Sequence, residues 1–266
     1  METIFVSLLL TEGIFMKISV EDFFNSQSVT WGDQYQSQKA FKSRKTIALH
    51  FASRFQDGSK ILDFGCGSGE IAEFLSHKNL QVTGCDANQK MLDLAKKREN
   101  QNFTCFQSSL PPFPLEPRQF DGIYSLSVFE YLDDPNIFFR EFSRILKPGG
   151  TFLFTVPDMR DEFRIRETKQ AKLARNPVVR VFLKFFQFLE KYLFTFGISL
   201  SKFREFPLIG RAFVQYEVFK FLNISKNRFS PSKWKQLGED CGFDVESIPN
   251  SNGPLLTLVF INKVGS

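Results

Sequence analysis

Histidine is nearly missing from this chain. His50 and His77 are the only two in 266 residues, and they share no local motif. The four cysteines, at 66, 85, 105 and 241, include no C-x-x-C pair. A zinc site draws on clustered cysteine and histidine, so no metal is expected. Nor is there a disulfide framework, and four buried thiols in a reducing cytoplasm account for them. Long apolar runs are also lacking. Ile4 to Leu10 is too short to span a bilayer, follows Glu2 rather than a basic segment, and precedes Glu12 with no small-residue cleavage site. Residues 1–15 are expected to be a loosely attached extension, with Met16 as an alternative start. Charge of one sign is scarce too: 34 Lys+Arg against 29 Asp+Glu leave +5, too little to name a partner. Apolar residues are plentiful, at 42% with 34 phenylalanines, enough for one well-buried catalytic domain with an extra element.

Residues 60–69 read Lys-Ile-Leu-Asp-Phe-Gly-Cys-Gly-Ser-Gly. Lys60 to Phe64 has the apolar run of a buried parallel strand, and Glu70 to His77 reads as the helix after it. Gly65, Gly67 and Gly69 fill the turn between them, where missing Cβ atoms let a ligand approach the backbone closely. A plain glycine-rich turn with no ligand is the alternative. The spacing is G-x-G-x-G rather than the dinucleotide fingerprint G-x-G-x-x-G. Asp63, two residues before the first glycine, would repel a pyrophosphate but suits an ammonium group. Leu80 to Asp86 is a second strand ending in an acid, placed to take two ribose hydroxyls. Asn88 caps the following helix. Asn102–Gln107, Phe120–Ser127 and Thr151–Val156 are three more strands. A helix opens at Pro135, runs to Leu146 and is closed by Lys147 to Gly150. Strands alternating with helices over about a hundred residues mean a doubly wound α/β fold.

In this order, ILDFGCGSG, VTGCDANQKML, FQSSLPPFP and FDGIYSLSVFEYLDDPNIFFREFSRILKPGGTFLFTVP resemble the motifs of the class I S-adenosylmethionine-dependent methyltransferases, type 11-like small-molecule enzymes among them. The resemblance runs from Trp31 to Asp158 and resumes from Arg228 to Val264. It implies a Rossmann-like sheet of seven mostly parallel strands, the last antiparallel and inserted between the fifth and sixth. It also implies S-adenosylmethionine as cofactor, S-adenosylhomocysteine as product, and methyl transfer to an oxygen or nitrogen of a small or lipophilic acceptor. By the same resemblance Asp63 and Gly65 hold the methionyl end beside Cys66, Gly67 lets the sugar approach, and Asp86 takes the ribose hydroxyls. Ala87 flanks the adenine, Ser108 reaches its amino group, and Leu126 or Ser127 lines the floor. Residues 31–55 imply a lid in which Tyr35 or Arg44 meets the cofactor's carboxylate; the alternative is a solvated helix whose aromatics pack on the domain. Two departures stand out. Many relatives carry an acid at Ser108, and many carry a histidine where Tyr131 stands. An oxygen acceptor would therefore need a base from Glu130 or Tyr131, with a packing role open for Tyr131.

The region from 159 to 229 falls between the fifth strand and the last pair. Residues 159–230 hold 15 Lys+Arg against 6 Asp+Glu, a local +9, and 13 of the 34 phenylalanines. Asn176-Pro177 is a good helix start. From Val178 to Phe194 the polar positions Arg180, Lys184, Gln187 and Lys191 step by four, three and four, a narrow basic stripe on an apolar helix. Lys202, Arg204, Arg211 and Lys220 continue it. Such a helix is covered either as a cap over the active-site mouth or by peripheral contact of 178–194 with the inner face of a membrane. Nucleic acid is not expected, since Ser125-Leu-Ser-Val-Phe-Glu130 lacks the Pro-Pro-aromatic run that holds a flipped base.

The expected organisation is thus an extension (1–15), lid helices (16–58), a cofactor-binding core (59–158), a cap insertion (159–229) and a closing helix with two strands (230–266). A cytoplasmic small-molecule methyltransferase is the reading. A membrane-associated lipid or quinone-precursor methyltransferase is one alternative, and a non-catalytic cofactor-binding module is another. The sequence leaves the oligomeric state open.

Overall fold

Four consecutive buried residues follow Lys60 in the strand Lys60–Phe64 (β1), a pattern that only a strand covered on both faces tolerates. The computed structural model describes residues 19–27, 39–173, 176–196, 216, 218–246 and 254–263. Trp31, Tyr35 and residues 1–15 lie outside these. Around β1 run Gln81–Asp86 (β2), Phe103–Gln107 (β3), Phe120–Leu126 (β4) and Leu146–Pro157 (β5), all parallel. Phe243–Glu246 (β6) and Leu255–Asn262 (β7) complete one sheet in the order β3-β2-β1-β4-β5-β7-β6. β7 is antiparallel to both neighbours and sits between β5 and β6, as expected.

The helices alternate with these strands: Val20–Gln27 (α1), Lys39–Ala52 (α2), Glu70–Ser76 (α3), Gln89–Ala95 (α4) and Pro135–Ile145 (α5). Glu162–Leu173 (α6), Pro177–Thr195 (α7) and Pro231–Asp240 (α8) follow. Their starts obey local chemistry. Asn88, Asp134 and Ser230 each accept a backbone N–H of the first turn, and Pro135 and Pro231 occupy positions where no N–H is needed. One boundary differs from the sequence reading. Lys147 to Gly150 does not close the helix but belongs to β5, because Leu146 already pairs with Phe120 before the register shifts to Gly122–Thr151.

Aromatic rings form the core on one face of the sheet. Phe139 and Phe142 of α5 pack on Phe152 of β5, Phe139 also meets Phe154 of β5 and Phe260 of β7, and Trp234 of α8 meets Phe154, all fully buried. Phe154 and Phe260 stack at 5.6 Å with 13° between planes. Each such ring contributes roughly 1.5–3 kcal/mol by leaving water. The other face buries Ile61, Leu75, Tyr124 and Leu153 under Ala48 and Phe51 of α2.

The chain divides into two compact units. One joins Val20–Asp161 to Lys226–Ser266 and contains the sheet; the other contains Glu162–Ser225. In the second unit Leu183 and Phe186 of α7 bury against Tyr216, with Phe219 partly buried beside them. Lys220 is not a surface cation as the stripe suggested. It is 2% exposed, with its ammonium 2.6 Å from Glu190, which also accepts the Tyr216 hydroxyl at 2.8 Å. A buried lysine needs that partner. Nor is the apolar arc of α7 fully covered: Phe185 is 53% exposed, Phe188 59% and Tyr192 54%.

Candidate functional site

The carboxyl ends of β3, β2, β1 and β4 lie side by side, so every residue that follows these strands opens on one edge of the sheet. β1 leads into the glycine turn. The N–H groups of Gly65 and Cys66 both bond the carbonyl of Cys85 at the end of β2, at 2.7 and 3.1 Å, which pins the turn to its neighbour strand. Gly65 has φ +75°, and a Cβ there would lie 2.2 Å from a Val128 methyl. At Gly67 the φ is +55°, but a Cβ would meet nothing within 4 Å. The first glycine is dictated by packing; the second faces open space.

Two carboxylates flank the turn. Asp86 accepts the Gly67 N–H and the Asn88 N–H, each at 2.8 Å. Asp63, 4% exposed, accepts the Tyr124 hydroxyl at 2.6 Å. Burial raises the pKa of Asp63 from 3.8 to about 7, partly countered by Tyr124 and reinforced by the charges of Asp86 and Glu70. Burial also raises Asp86, while its bonds to backbone N–H groups pull it back. A buried and a half-buried carboxylate beside an open backbone turn make a site for hydroxyls and for positive charge.

A methyltransferase domain family matches residues 62–154, the span from β1 to β5. The ubiquinone biosynthesis O-methyltransferase of Proteus mirabilis is 26% identical over 141 residues, covering 50% of this chain and 58% of that protein. The malonyl-[acyl-carrier protein] O-methyltransferase of Enterobacter lignolyticus is 27% identical over 141 residues, covering 51% and 56%. This chain thus spans less than two thirds of the curated relatives it matches. Among solved structures, an S-adenosylmethionine-dependent methyltransferase of Thermotoga maritima superposes with a TM-score of 0.57 at 14% identity, over 90% of this chain and 99% of that one. A chain of the Haloferax volcanii complex between the Trm112 methyltransferase activator and a methyltransferase gives 0.57 at 17% identity, over 91% and 99%. By its matched domain and its fold the chain is similar to the S-adenosylmethionine-dependent methyltransferases.

Around the glycine turn the structure places several of the residues picked from the sequence. Ala87 is exposed just after β2, and the Ser108 N–H bonds the Asp86 carbonyl at 3.1 Å at the end of β3. The Ser108 hydroxyl turns to the Leu110 carbonyl at 3.4 Å, a local turn bond. Leu126 ends β4 half-buried, and Ser127, at φ +60°, donates its N–H to the Thr155 hydroxyl at 2.9 Å. Cys66 takes a packing position: its sulfur leaves only 3.0 Å for a Cβ at Gly84, and burial holds its pKa well above the thiol range. Glu130, 1% exposed, and the half-buried Tyr131 share a short 3-10 turn after β4, and Tyr131 meets Phe24 of α1 edge-on at 5.4 Å. Arg44 lies partly buried on α2, one turn before the buried Ala48. Tyr35 falls outside the described residues.

Three supporting residues were not foreseen. Tyr124 is opposite Asp63 in the β1–β4 register, so its hydroxyl and that carboxylate share a face; a lone tyrosine hydroxyl in a buried strand was the available signal. Arg98 reaches the Ser68 carbonyl at 3.0 Å, Glu73 at 2.9 Å and Glu70 at 3.2 Å, bracing the start of α3. Asn227 donates its amide to the carbonyls of Phe129 and Leu132, at 2.9 and 2.7 Å, clamping the turn that carries Glu130. The described residues contain no group of three or more metal-binding side chains.

Proposed function

We propose that this methyltransferase transfers a methyl group from S-adenosylmethionine to an oxygen of a small, lipophilic molecule, a quinone precursor being the specific form. The observation that carries the reading is the pairing of Asp63 and Asp86 around Gly67, whose missing Cβ leaves an open cradle at the sheet edge. The residues present fit the cofactor. Asp63 would face its ammonium group, Asp86 its ribose hydroxyls, and Ala87, Ser108, Leu126 and Ser127 its adenine. Tyr35 and Arg44 would close over its carboxylate. The names of the relatives favour oxygen over nitrogen.

When bound, the cofactor supplies a methyl group on a positively charged sulfur that needs no further activation. What remains for the chain is to hold the acceptor in line, exclude water and receive the hydroxyl proton. Glu130 is suited to that proton because its carboxyl is buried on the turn directly after β4. Tyr131 is the second candidate. A lipophilic acceptor would be met at the inner face of a membrane, by peripheral contact; among the described residues no helix is long and apolar enough to cross one.

A screen of phenols, carboxylic acids and amines, read as conversion of S-adenosylmethionine to S-adenosylhomocysteine, tests the reading. Turnover on a lipophilic phenol, lost in Glu130→Gln with cofactor affinity kept, is the expected result. Tight S-adenosylhomocysteine binding without turnover on any acceptor would favour the non-catalytic module instead.

A further inference from the structure

We infer that one side of α7 docks on an anionic lipid surface. The helix has three distinct sides. Leu183 and Phe186 bury it within its own unit. Val181, Phe185, Phe188, Tyr192 and Phe196 recur at steps of four, three, four and four, which at 100° per residue places them within about 80° of one another. All five are open to solvent, from 41% at Val181 to 64% at Phe196. Phe188 and Tyr192 stack at 6.4 Å, and Phe196 meets Tyr192 at 5.2 Å, so three of the exposed rings adjoin in a row on the side that Val181 and Phe185 share. Single exposed apolar residues are ordinary, whereas a contiguous strip marks an interaction surface.

Charge identifies the occupant. Arg180, Lys184 and Lys191 follow one another along the helix on the side next to that strip. The only acid of α7 is Glu190, and it lies on the inner side, where it serves Lys220 and Tyr216. The positions of the strip therefore adjoin a row of basic positions along one edge and include no acid. A second copy of this chain would bring one basic row against another. An anionic lipid headgroup layer complements the row, while the rings enter the acyl boundary beneath it. At 19 residues α7 is about 28 Å long, and it is not apolar enough to cross a bilayer, so it would lie in the interface plane.

The docking deepens the membrane contact proposed above, and it is testable without turnover. Full-length protein is sedimented with phosphatidylcholine vesicles and with vesicles that also contain phosphatidylglycerol. Binding to the phosphatidylglycerol vesicles, weakened by salt, is expected. Phe185→Ser/Phe188→Ser should reduce it by at least about tenfold, and Lys184→Glu/Lys191→Glu by about as much at low salt. The melting temperature of the serine variant should hold, since Phe185 and Phe188 are more than half exposed. Wild-type protein that stays in the supernatant, or a serine variant that pellets equally well, overturns the inference. So does a concentration-dependent dimer in sedimentation velocity that the serine variant dissolves, because the strip would then serve a second copy. S-adenosylhomocysteine titrated into the same preparations separates the two readings. Lipid binding absent with cofactor binding intact defeats only the docking, and the converse defeats only the cofactor reading.

Discussion

Asp63, next to last in β1, has its carboxyl buried and a pKa of about 7, against 3.8 in the unfolded chain. The sign of its effect follows. Because folding raises this pKa, ionisation opposes the fold, and the unliganded protein should lose stability as pH rises from about 4 through about 7. A cationic ligand acts the other way: it binds the ionised carboxyl and draws its pKa down. S-adenosylhomocysteine, which keeps the ammonium group, should therefore bind more tightly as pH rises through 7 and then level off. At pH 6 its binding should release a proton, seen as calorimetric heats that depend on the buffer. Asp63→Asn should abolish that dependence, and Tyr124→Phe, which removes a bond to the ionised form, should move the inflection upward. A second pair of variants separates packing from ligand access. Gly65→Ala should lower the melting temperature strongly, since its Cβ would collide with Val128 at 2.2 Å and at φ +75°. Gly67→Ala meets no neighbour and should cost only about 1 kcal/mol of left-handed strain. At this scale Asp63 and the glycines were legible because the motif is local in sequence. Tyr124 was not, since its role depends on the register between β1 and β4.

Elements with local start signals were the easiest to place. Asn88 and the Ser230-Pro231 pair fixed two helix starts, and Pro135 a third, because caps and first-turn prolines act within four residues. The beginning of β5 was missed for the opposite reason. Lys147-Pro-Gly-Gly150 looks like a helix stop, but sheet pairing at Leu146 and the long reach of Asn262 decide it: that amide donates to the carbonyls of Ser143 and Leu146 at 3.0 and 3.1 Å. The turn from Phe129 to Leu132 depends on a similarly distant partner. The backbone N–H groups of Lys226 and Asn227 bond the Glu130 carbonyl at 2.6 and 3.0 Å, in addition to the Asn227 side-chain clamp. Asn227→Ala should lose about 1–3 kcal/mol of stability by leaving two carbonyls of the turn without that donor. Chemical denaturation measures that loss. If the turn presents Glu130 to the acceptor, kcat should fall in this variant while S-adenosylhomocysteine affinity stays near wild type.

For the whole molecule, the alternation of strands and helices with the motif order carried the sheet as far as the antiparallel β7, and the strand order matches. The second unit was legible only as composition. A basic, phenylalanine-rich helix announces that something covers it, yet which side faces inward is set by tertiary contacts: Tyr216, 33 positions after Leu183, packs in the same buried cluster. That is why Lys220, read from the sequence as continuing the basic stripe, is buried against Glu190. The cofactor site remains the feature on which the functional reading stands. Calorimetric titration of the full chain with S-adenosylhomocysteine and, separately, with NAD tests it most directly. Micromolar affinity for the S-adenosyl ligand, none for NAD, and a loss of about 1.5–3 kcal/mol in Asp86→Ala from the missing charged hydrogen bonds are predicted. Binding of NAD with no binding of the S-adenosyl ligand would contradict it.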